Sequence, residues 1–579
     1  SAHLAERAPF VLARTPGALP DPSSAARPDG APPAAPVCHS GAMLSSQAVD
    51  ALRAVLVDAG YTVDAVLERL GPSGSEGLAR NATIPALHVL GAADDAQAVL
   101  IRLFPLQQTL LRGPVERVLG ARLLRSLIDE GVLRESGPAA FPVPGAAPPA
   151  GDPLPTGPAP GGPRVRAAVD IRPYGFEDAD GSWSGWVAAD PVPGLDGIVT
   201  PTRPDYVLGV SPASTSLSRL TVPDRVGTAL DLGTGCGVQS LHLARHAGRV
   251  VATDLNPRAC ELAGLTMALN GIDRVGLREG SLYEPVDGER FDLIVTNPPY
   301  VMSPPDDGAE RLVYREGPFY REGPFAGDGL VERVVRRGPR HLTGGGLLQV
   351  LANWADGGGA RWQDRLSGWA AGTGCDLWVI QRERLDVYEY IEMWLTDAGL
   401  AGSDEWGPRY RRWLDYFERL GITGVGMGWI MLRNSGAARP RIRIEEWPYD
   451  IGRPVGPALS SGWRTLDARS LDDDALLATR CTLDPDVVQE TTGAPGGADP
   501  SHVVLRRTTG LRRAIEVDTA LGGVLGACDG ELPLGRIVDA VAELLGDDPA
   551  ALRARLAPRL RDALVDGFIT VRPSDAPPA

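Results

Sequence analysis

The centre of the chain alternates short apolar runs with amphipathic stretches. Thr228–Leu232, Val250–Thr253 and Leu293–Val295 are largely apolar, and each is followed by residues with a helical period before the next run begins. Apolar runs of this length are typical of strands that are buried on both faces of a parallel sheet. Between residues 200 and 436 this alternation predicts an α/β fold with a doubly wound, mostly parallel sheet.

A helical pattern comes before this central region. After a capping serine at Ser45, the side chains of Val49, Leu52 and Leu56 fall on one helix face. Later in the same region, LLRSLIDEGVLRES indicates a helix, a glycine stop and a short strand. That succession is typical of a winged-helix unit. We therefore predict a mainly helical, winged-helix-like domain at residues 43–136.

The remaining regions show weaker patterns. Residues 1–42 are rich in Pro and Ala without periodicity, which predicts disorder. Residues 137–199 indicate a Pro/Gly-rich linker followed by strands, and residues 437–500 an irregular connector. Residues 501–579 predict a second helical domain. Its LRDALVDGFITVR either repeats the winged-helix pattern or is simply another helix that is stopped by glycine.

A perfect tandem hexapeptide, YREGPFYREGPF, occupies residues 314–325. A long loop of this kind is either functional or mobile. The repeat favours a recent duplication in a mobile loop over a substrate lid.

The charge of the chain limits the class of its partners. The net charge is −16, and all 57 basic residues are arginine. This balance argues against a protein that binds nucleic acid over its whole surface, although it leaves room for a local basic patch. Arg clusters such as ERVVRRGPRH and RYRRWLDYFERL are candidates for such a patch, or else solvated helix faces.

The cysteines and the apolar runs indicate the cellular compartment. Six scattered cysteines contain no Cys-x-x-Cys pair, which predicts reduced thiols and no metal site. No apolar run reaches the ~20 residues of a membrane span, and the first residues lack the pattern of a secretory signal. We therefore expect a cytoplasmic protein with no membrane partner.

Glycines follow the first strand of the predicted sheet. Gly233, Gly235 and Gly237 form a G-x-G-x-G turn into a helix, where backbone can approach a ligand closely. The second strand ends in Asp254, where an acidic side chain can hold two ribose hydroxyls.

The third and fourth strands also end in polar or turn-forming residues. Ser281 and Leu282 follow the third strand, and Asn297 follows the fourth. In an open α/β sheet the carboxyl ends of the strands border the ligand crevice. Four consecutive strand ends therefore predict one binding site.

The fourth strand ends in Asn297-Pro298-Pro299-Tyr300. The prolines lack N–H groups and fix φ, so the backbone leaves the sheet with its carbonyls exposed. The amide oxygen of Asn297 and the carbonyl of Pro298 can accept from one planar NH2 group, and Tyr300 can stack on it. A tight strand-to-loop turn without chemistry is the alternative for these four residues alone.

Taken together and in this order, the motifs resemble the class I S-adenosylmethionine-dependent methyltransferases that carry an Asn-Pro-Pro-Tyr motif. GSLYEPVDGERFDLIVTNPPYV closely resembles the HemK-like protein-glutamine N5-methyltransferases, and the motif also occurs in adenine-N6 and related base methyltransferases that act on DNA or ribosomal RNA. The resemblance covers about residues 200–436 and implies a Rossmann-like core with S-adenosyl-L-methionine as cofactor. The residues that it implies at the cofactor are Asp231, Gly233, Thr234, Gly235, Gly237, Asp254, Leu255, Ser281, Leu282 and Asn297.

The same resemblance implies that the target nitrogen is held by Asn297, Pro298, Pro299 and Tyr300. HemK-like enzymes carry a Pro-Arg-Pro-x-Thr-Glu segment where this chain has PTRPDYVLGVSPAS, and no Thr-Glu follows here. The expected function is N-methylation of a macromolecule. The expected acceptor is a glutamine of a release factor or another translation protein. The alternatives are a nucleobase of ribosomal RNA or DNA, and a binding adaptor whose methyltransferase fold is inactive.

Overall fold

The structure is a computed structural model. Its contacts divide the chain into two units. One runs to Ser218 and from Arg225 to Trp447, and the other comprises Arg219–Asp224 and the chain from Pro448 onward. The residues that the structure describes are 43–136, 162–178, 181–197, 203–304, 326–452, 454–466, 469, 471–495 and 500–571. The tandem hexapeptide and the segment 1–42 lie outside them.

Helices and short strands precede the central sheet. The capping serine is present, since the Ser45 side chain accepts a hydrogen bond from the amide of Ala48. Gly131, with φ 81°, separates the last of these helices from a short strand. The elements are α1 (Ser46–Asp58), α2 (Val63–Ala79), α3 (Ile84–Leu90), α4 (Ala96–Leu103), β1 (Leu110–Leu111), α5 (Arg112–Leu119), α6 (Ala121–Asp129), β2 (Leu133–Ser136), β3 (Arg164–Ala167), β4 (Asp170–Asp178) and β5 (Gly181–Ala189).

The strands of this first part form two small antiparallel sheets. One has the order β1-β3-β2, and the other is the β4–β5 hairpin. The strand β3 lies beyond residue 136, so the sheet that accompanies the N-terminal helices extends past the expected domain boundary.

The larger sheet of the first unit has eight strands among the described residues, in the order β13-β11-β12-β10-β9-β6-β7-β8. Strand β12 runs antiparallel to both of its neighbours, and the other pairs are parallel. This confirms the predicted α/β fold with a mostly parallel sheet. The elements are α7 (Pro212–Leu220), β6 (Val226–Leu232), α8 (Val238–His246), β7 (Ala247–Asp254), α9 (Pro257–Leu269), β8 (Val275–Glu279), β9 (Phe291–Thr296), α10 (Gly329–Arg337), β10 (Leu342–Gly357), α11 (Trp362–Ala370), β11 (Asp376–Asp386), α12 (Val387–Asp397), α13 (Trp406–Leu420), β12 (Ile422–Arg433) and β13 (Ile442–Glu446).

The apolar pattern of the sequence corresponds to the core of this unit. Leu293, Ile294 and Val295 of β9 are fully buried, as continuous runs in a parallel sheet should be. Leu52 of α1 belongs to the same apolar cluster as Leu262 of α9, so the N-terminal helices share a core with the large sheet. Burying apolar surface in this way favours folding by about 25 cal/mol per Å².

The chain beyond residue 436 differs from the expected connector and helical domain. Strand β13 extends the large sheet beyond residue 436, and regular elements replace the irregular stretch at 437–500. In the second unit the strands Val487–Thr492, Ala514–Glu516 and Asp529–Pro533 are mostly exposed, so no apolar run marks them. The elements are α14 (Gly456–Leu466), α15 (Asp473–Ala478), β14 (Arg480–Leu483), β15 (Val487–Thr492), β16 (His502–Arg507), β17 (Ala514–Glu516), α16 (Thr519–Gly526), β18 (Asp529–Pro533), α17 (Leu534–Leu545), α18 (Pro549–Val565) and β19 (Ile569–Val571).

Strand β14 pairs with both β18 and β19, which ties residues 480–483 to the C-terminal helices. The remaining strands of this unit form a sheet in the order β15-β16-β17. The helix, glycine and strand at the C-terminal end are present as α18, Gly567 and β19.

Several features concern what the chain can bind. In the described part of the chain, no helix has the length and apolarity that a membrane crossing requires. The five cysteines within the described ranges are free and buried. Among the same residues no group of three His, Cys, Asp or Glu side chains is placed to hold a metal ion.

Candidate functional site

The carboxyl ends of four neighbouring strands meet at one edge of the large sheet. Leu232 at the end of β6 is in register with Thr253 of β7 and with Thr296 of β9. Asp254 is in register with Glu279 of β8. From β6 the chain builds outward to β7 and β8 on one side, and then returns to β9 on the other. Such a reversal of strand order is where ligands bind in doubly wound sheets.

Two glycines of the turn after β6 border open space. Gly233 and Gly235 have φ values of 80° and 55°, a conformation that L-residues rarely adopt. A Cβ added at either residue would meet nothing within 4 Å. The amides of Gly233 and Thr234 donate to the carbonyl of Thr253 at 2.8 and 2.9 Å, which fixes the turn against β7. The turn therefore presents bare backbone to the crevice.

The third glycine of the turn, Gly237, has close neighbours instead of open space. Gly237 caps α8 with φ 84°, and a Cβ there would lie 3.2 Å from the Cα of Ala263 and from the Cε of Met267. Because glycine has no Cβ, α8 can pack closely on α9 at this point. Helix packing thus gives one reason for glycine at this position, and its expected contact with the cofactor stays a prediction.

Asp254 is held rigidly at the end of β7. Its carboxylate is buried, with the Oδ2 atom accepting from the amide of Gly235 and the Oδ1 atom from the amide of Asn256, both at 2.9 Å. A carboxylate offers about four acceptor positions, so further hydroxyl donors can be accommodated. The next residue, Leu255, has an apolar side chain that is 44% exposed.

Asp231 is a second buried carboxyl group, near the end of β6. Its Oδ2 atom accepts hydrogen bonds from the hydroxyls of Thr234 and Ser240, at 2.7 and 2.6 Å. Its Oδ1 atom is buried without a hydrogen-bond partner. Burial raises the pKa of Asp231 to about 6, although the two hydroxyls act in the opposite direction.

The turn after β8 contains backbone strain. Leu282 has a φ of 48°, which is uncommon for a residue with a branched side chain. The preceding amide of Gly280 donates to the carbonyl of Asp254 at 2.9 Å, and the carbonyl of Ser281 accepts from the amide of Glu284. Ser281 and Leu282 are therefore fixed next to Asp254.

The Asn-Pro-Pro-Tyr segment leaves the sheet directly after β9. The Oδ1 atom of Asn297 is buried and has no hydrogen-bond partner. Pro298 is buried, whereas Pro299 and Tyr300 are half-buried. The ring of Tyr300 packs against the apolar cluster that lies under β9 and β10. An unpaired buried acceptor is costly, which makes Asn297 a candidate for contact with a ligand donor.

A residue that the sequence did not single out supports this segment. The hydroxyl of Tyr390, on α12, accepts from the amide of Met302 at 3.1 Å and from the Nδ2 atom of Asn353 at 3.3 Å. Tyr390 and Met302 are both fully buried. The only local signal is the helical spacing of apolar residues in α12, which predicts burial but not this partner.

The segment in place of the Pro-Arg-Pro-x-Thr-Glu motif borders the same edge. The Nδ2 atom of Asn256 donates to the carbonyl of Asp205 at 3.0 Å, and Gln239 donates to the carbonyl of Ser214 at 2.6 Å. Arg203 forms an ion pair with Asp205 at 2.7 Å. Hydrogen bonds therefore tie this segment to α8 and to the turn after β7.

Comparison with known proteins identifies the central segment. Residues 211–314 match the family described as the methyltransferase small domain. Residues 58–142 and 462–571 match two families described as domains of unknown function (DUF7059 and DUF7782).

Curated relatives agree with this assignment. The chain is 39% identical over 135 residues to a release factor glutamine methyltransferase of Xylella fastidiosa, which is 23% of this chain and 48% of the relative. It is 38% identical over 138 residues to a ribosomal protein uL3 glutamine methyltransferase of Bradyrhizobium diazoefficiens, 22% of this chain and 41% of the relative. It is 30% identical over 163 residues to a ribosomal RNA small subunit methyltransferase C of Salmonella arizonae, 28% of this chain and 41% of the relative.

The chain therefore spans about half or less of each of these relatives. Within that span the chain is similar to methyltransferases, and this similarity confirms the resemblance that the motifs predicted.

Proposed function

We propose that this chain transfers a methyl group from S-adenosylmethionine to a planar NH2 group of a macromolecule. The observation that carries the proposal is the buried, unpartnered Oδ1 atom of Asn297 at the strand-order reversal. Such an acceptor is matched by an N–H donor. A planar NH2 group is the donor that an amide oxygen and a neighbouring carbonyl can hold together.

The residues at the strand ends fit the cofactor. The bare backbone at Gly233 and Gly235 leaves room for a closely bound ligand, and Asp254 would accept from the ribose hydroxyls. Asp231, with one unpaired oxygen, is suited to a cationic group. When bound, S-adenosylmethionine supplies an electrophilic methyl group on a sulfonium.

The protein's part in the reaction is positioning and electrostatics. The lone pair of an amide or aryl amine nitrogen is delocalised, so it must be localised on the nitrogen before it attacks. The side-chain oxygen of Asn297 and the carbonyl of Pro298 would each accept a hydrogen bond from one N–H of the target, and Tyr300 would stack on the planar group. These contacts would strengthen as the nitrogen becomes tetrahedral. The methyl carbon would exchange its bond to sulfur for a bond to nitrogen, which would leave the cofactor as a neutral thioether. The cationic nitrogen would then lose one proton to water, so no strong general base is required.

A side-chain amide of a glutamine in a translation protein is the acceptor that we favour. The sequence around Asn297 closely resembles that of the HemK-like enzymes, and two of the relatives above are named glutamine methyltransferases. The acidic balance of the chain is compatible with a protein acceptor.

A nucleobase is the second candidate. Its support is the 163-residue similarity to the ribosomal RNA methyltransferase C. An inactive adaptor is the candidate of another class, and the open glycine turn and the unpaired Asn297 argue against it.

The acceptor class is tested by incubating the full chain with methyl-labelled cofactor and a cell extract. If the acceptor is a protein, protease releases the label and nuclease does not. The reverse pattern would assign a nucleobase. An absence of transfer, together with no thermal shift on adding the cofactor, would support the adaptor.

Replacing Tyr390 by phenylalanine is expected to slow turnover without weakening cofactor binding. The variant leaves the buried amide of Met302 unpaired, at a cost of about 1–3 kcal/mol, and loosens the segment that holds Asn297. If about 1.4 kcal/mol of this is lost from the transition state, kcat falls roughly tenfold. Single-turnover kinetics and calorimetric cofactor titration measure the two effects.

Tyr416→Phe is the matched control. The Tyr416 hydroxyl, on α13, accepts from the amide of Gly327 at 2.8 Å and is also buried, but this contact lies farther along the chain from Tyr300. Equal losses in the two variants would show that the effect is a general loosening of α12 and α13, and that Tyr390 has no special role.

Asp231 is expected to make the first unit less stable as the pH rises from about 4 to 6. Its pKa is about 6 in the folded chain and 3.8 ordinarily, so in this window the folded state holds a proton that the unfolded state has lost. The free energy of unfolding falls with pH wherever the folded state binds more protons. About two pKa units correspond to roughly 3 kcal/mol.

The Asp231→Asn variant keeps an oxygen for Thr234 and Ser240 but cannot titrate. Thermal unfolding between about pH 4 and 7 should therefore show a weaker fall in stability for the variant than for the unmodified chain. Identical pH dependence of the two proteins would contradict the burial of an ionisable group at this position.

A further inference from the structure

A groove lies at the edge of the large sheet opposite the strand ends that carry Asn297. Arg290 directly precedes β9, and Arg340 lies two residues before β10, so the groove is at the amino ends of these parallel strands. Asn434, which follows the antiparallel strand β12, lines it from the other side. Its volume is about 450 Å³.

The charged side chains that line the groove are all arginines: Arg290, Arg336 and Arg340. Arg336 pairs with Glu332 at 2.6 Å. In the described ranges of the chain, no carboxylate lies within ion-pair distance of Arg290 or Arg340. The groove therefore carries a net positive charge on a chain whose overall charge is −16.

Two of the guanidinium groups are held in place by backbone carbonyls. The Nη1 atom of Arg290 donates to the carbonyl of Leu342 at 2.9 Å, and that of Arg336 donates to the carbonyl of Gly368 at 3.1 Å. Each guanidinium has five N–H donors, so most remain for a ligand. Arg340 is exposed at the surface. A preordered set of such forks is suited to phosphate oxygens.

We propose that this groove binds the phosphodiester backbone of RNA. A chain of this acidity repels a polyanion elsewhere on its surface, so contact with RNA requires a local cluster of this kind. An open groove lined by separate arginines fits a strand that passes along it. The proposal does not depend on which nitrogen is methylated, since the groove lies at the other edge of the sheet.

The test is fluorescence anisotropy of a short labelled oligouridylate, titrated with the full chain between about 50 and 200 mM salt. For the double variant Arg290→Gln/Arg340→Gln, we expect weaker binding at every salt concentration. The slope of log affinity against log salt should fall in magnitude by about 1.4, at about 0.7 for each phosphate contact to a single strand.

Arg80→Gln/Arg274→Gln is the matched control. It removes the same charge from exposed arginines. Arg274 precedes β8, which is the last strand in the order of the large sheet. This variant should keep the slope of the unmodified chain. Because Arg290 also bonds to backbone, the single variant Arg340→Gln provides a second measurement, with an expected loss of about 0.7 in slope.

Equal slopes for the unmodified chain and the groove variants would overturn the proposal, as would a failure of the unmodified chain to bind the oligonucleotide. Binding of polyglutamate that depends on the same arginines, without binding of RNA, would instead assign the groove to an acidic protein. Binding is measured without cofactor or methyl acceptor, so these outcomes do not bear on methyl transfer.

Discussion

Replacement of Asn297 by alanine should reduce turnover by about a hundred- to a thousand-fold and leave cofactor affinity nearly unchanged. The Oδ1 atom of Asn297 is a buried acceptor without a partner in the protein, so its removal costs the fold little. Its proposed contact with the target nitrogen matters most as that nitrogen becomes tetrahedral, which is differential binding of the transition state. Single-turnover rates and calorimetric cofactor titration separate the two effects.

Variants at Tyr300 provide the control for this prediction. Tyr300→Phe keeps the ring that packs against the apolar cluster under β9, so its effect should be mild, whereas Tyr300→Ala should be severe. An Asn297→Ala enzyme with unimpaired turnover would show that the transferred methyl group does not go to a nitrogen held by this amide.

Replacement of Asp254 by alanine should weaken cofactor binding at least about a hundred-fold. Hydrogen bonds to a charged group are worth about 1.5–3 kcal/mol each, and two ribose hydroxyls would lose their acceptor. The variant also releases the amides of Gly235 and Asn256, so the glycine turn loses one of its attachments to β7 and keeps those of Gly233 and Thr234 to the carbonyl of Thr253. Calorimetry with S-adenosylmethionine measures the loss of affinity.

Asp292→Ala separates cofactor binding from stability. Asp292 of β9 likewise accepts a hydrogen bond from a backbone amide, that of Thr228 at 2.9 Å. This bond lies at the amino ends of β9 and β6, whereas Asp254 lies at the carboxyl end of β7. This variant should lower the unfolding temperature and keep cofactor affinity. If Asp254→Ala retains full affinity, or if both variants lose it equally, Asp254 does not hold the cofactor.

The central sheet could be predicted because its signals are local. Continuous apolar runs such as Leu293–Val295 are buried on both faces, and the residue that follows each run lies at the carboxyl edge. The register of β6 with β7 and β9 then brings the ends of the strands together. The positions of Gly233 and Asp254 at this edge could be predicted from this rule, without knowledge of long-range contacts.

Other parts of the site could not be predicted, because they depend on contacts between distant residues. Tyr390 meets the amide of Met302, 88 residues away in sequence, and nothing in the spacing of α12 specifies that partner. The close approach of Gly237 to Ala263 and Met267 of α9 is also not specified by the spacing of the glycines. The positive φ of Leu282 likewise follows from its surroundings and not from its residue type.

The boundaries of the regions before and after the central sheet could not be predicted, for a related reason. Strand β14 lies in the stretch expected to be irregular, and it is stabilised by pairing with β18 and β19 far along the chain. Strands of three to six residues are too short to leave a clear periodicity in a sequence, and the side chains of β15 and β17 are also mostly exposed.

The most direct test of the proposed chemistry is to locate the methyl group on its acceptor. The acceptor is isolated after reaction with labelled cofactor, and fragmentation by mass spectrometry assigns the modified atom. We predict a methyl group on the side-chain amide nitrogen of a glutamine, or on the exocyclic amine of a base if the acceptor is RNA. Its yield should collapse with Asn297→Ala. A methyl group on a carboxylate oxygen or a thiol sulfur, formed equally well by that variant, would contradict transfer to a planar nitrogen.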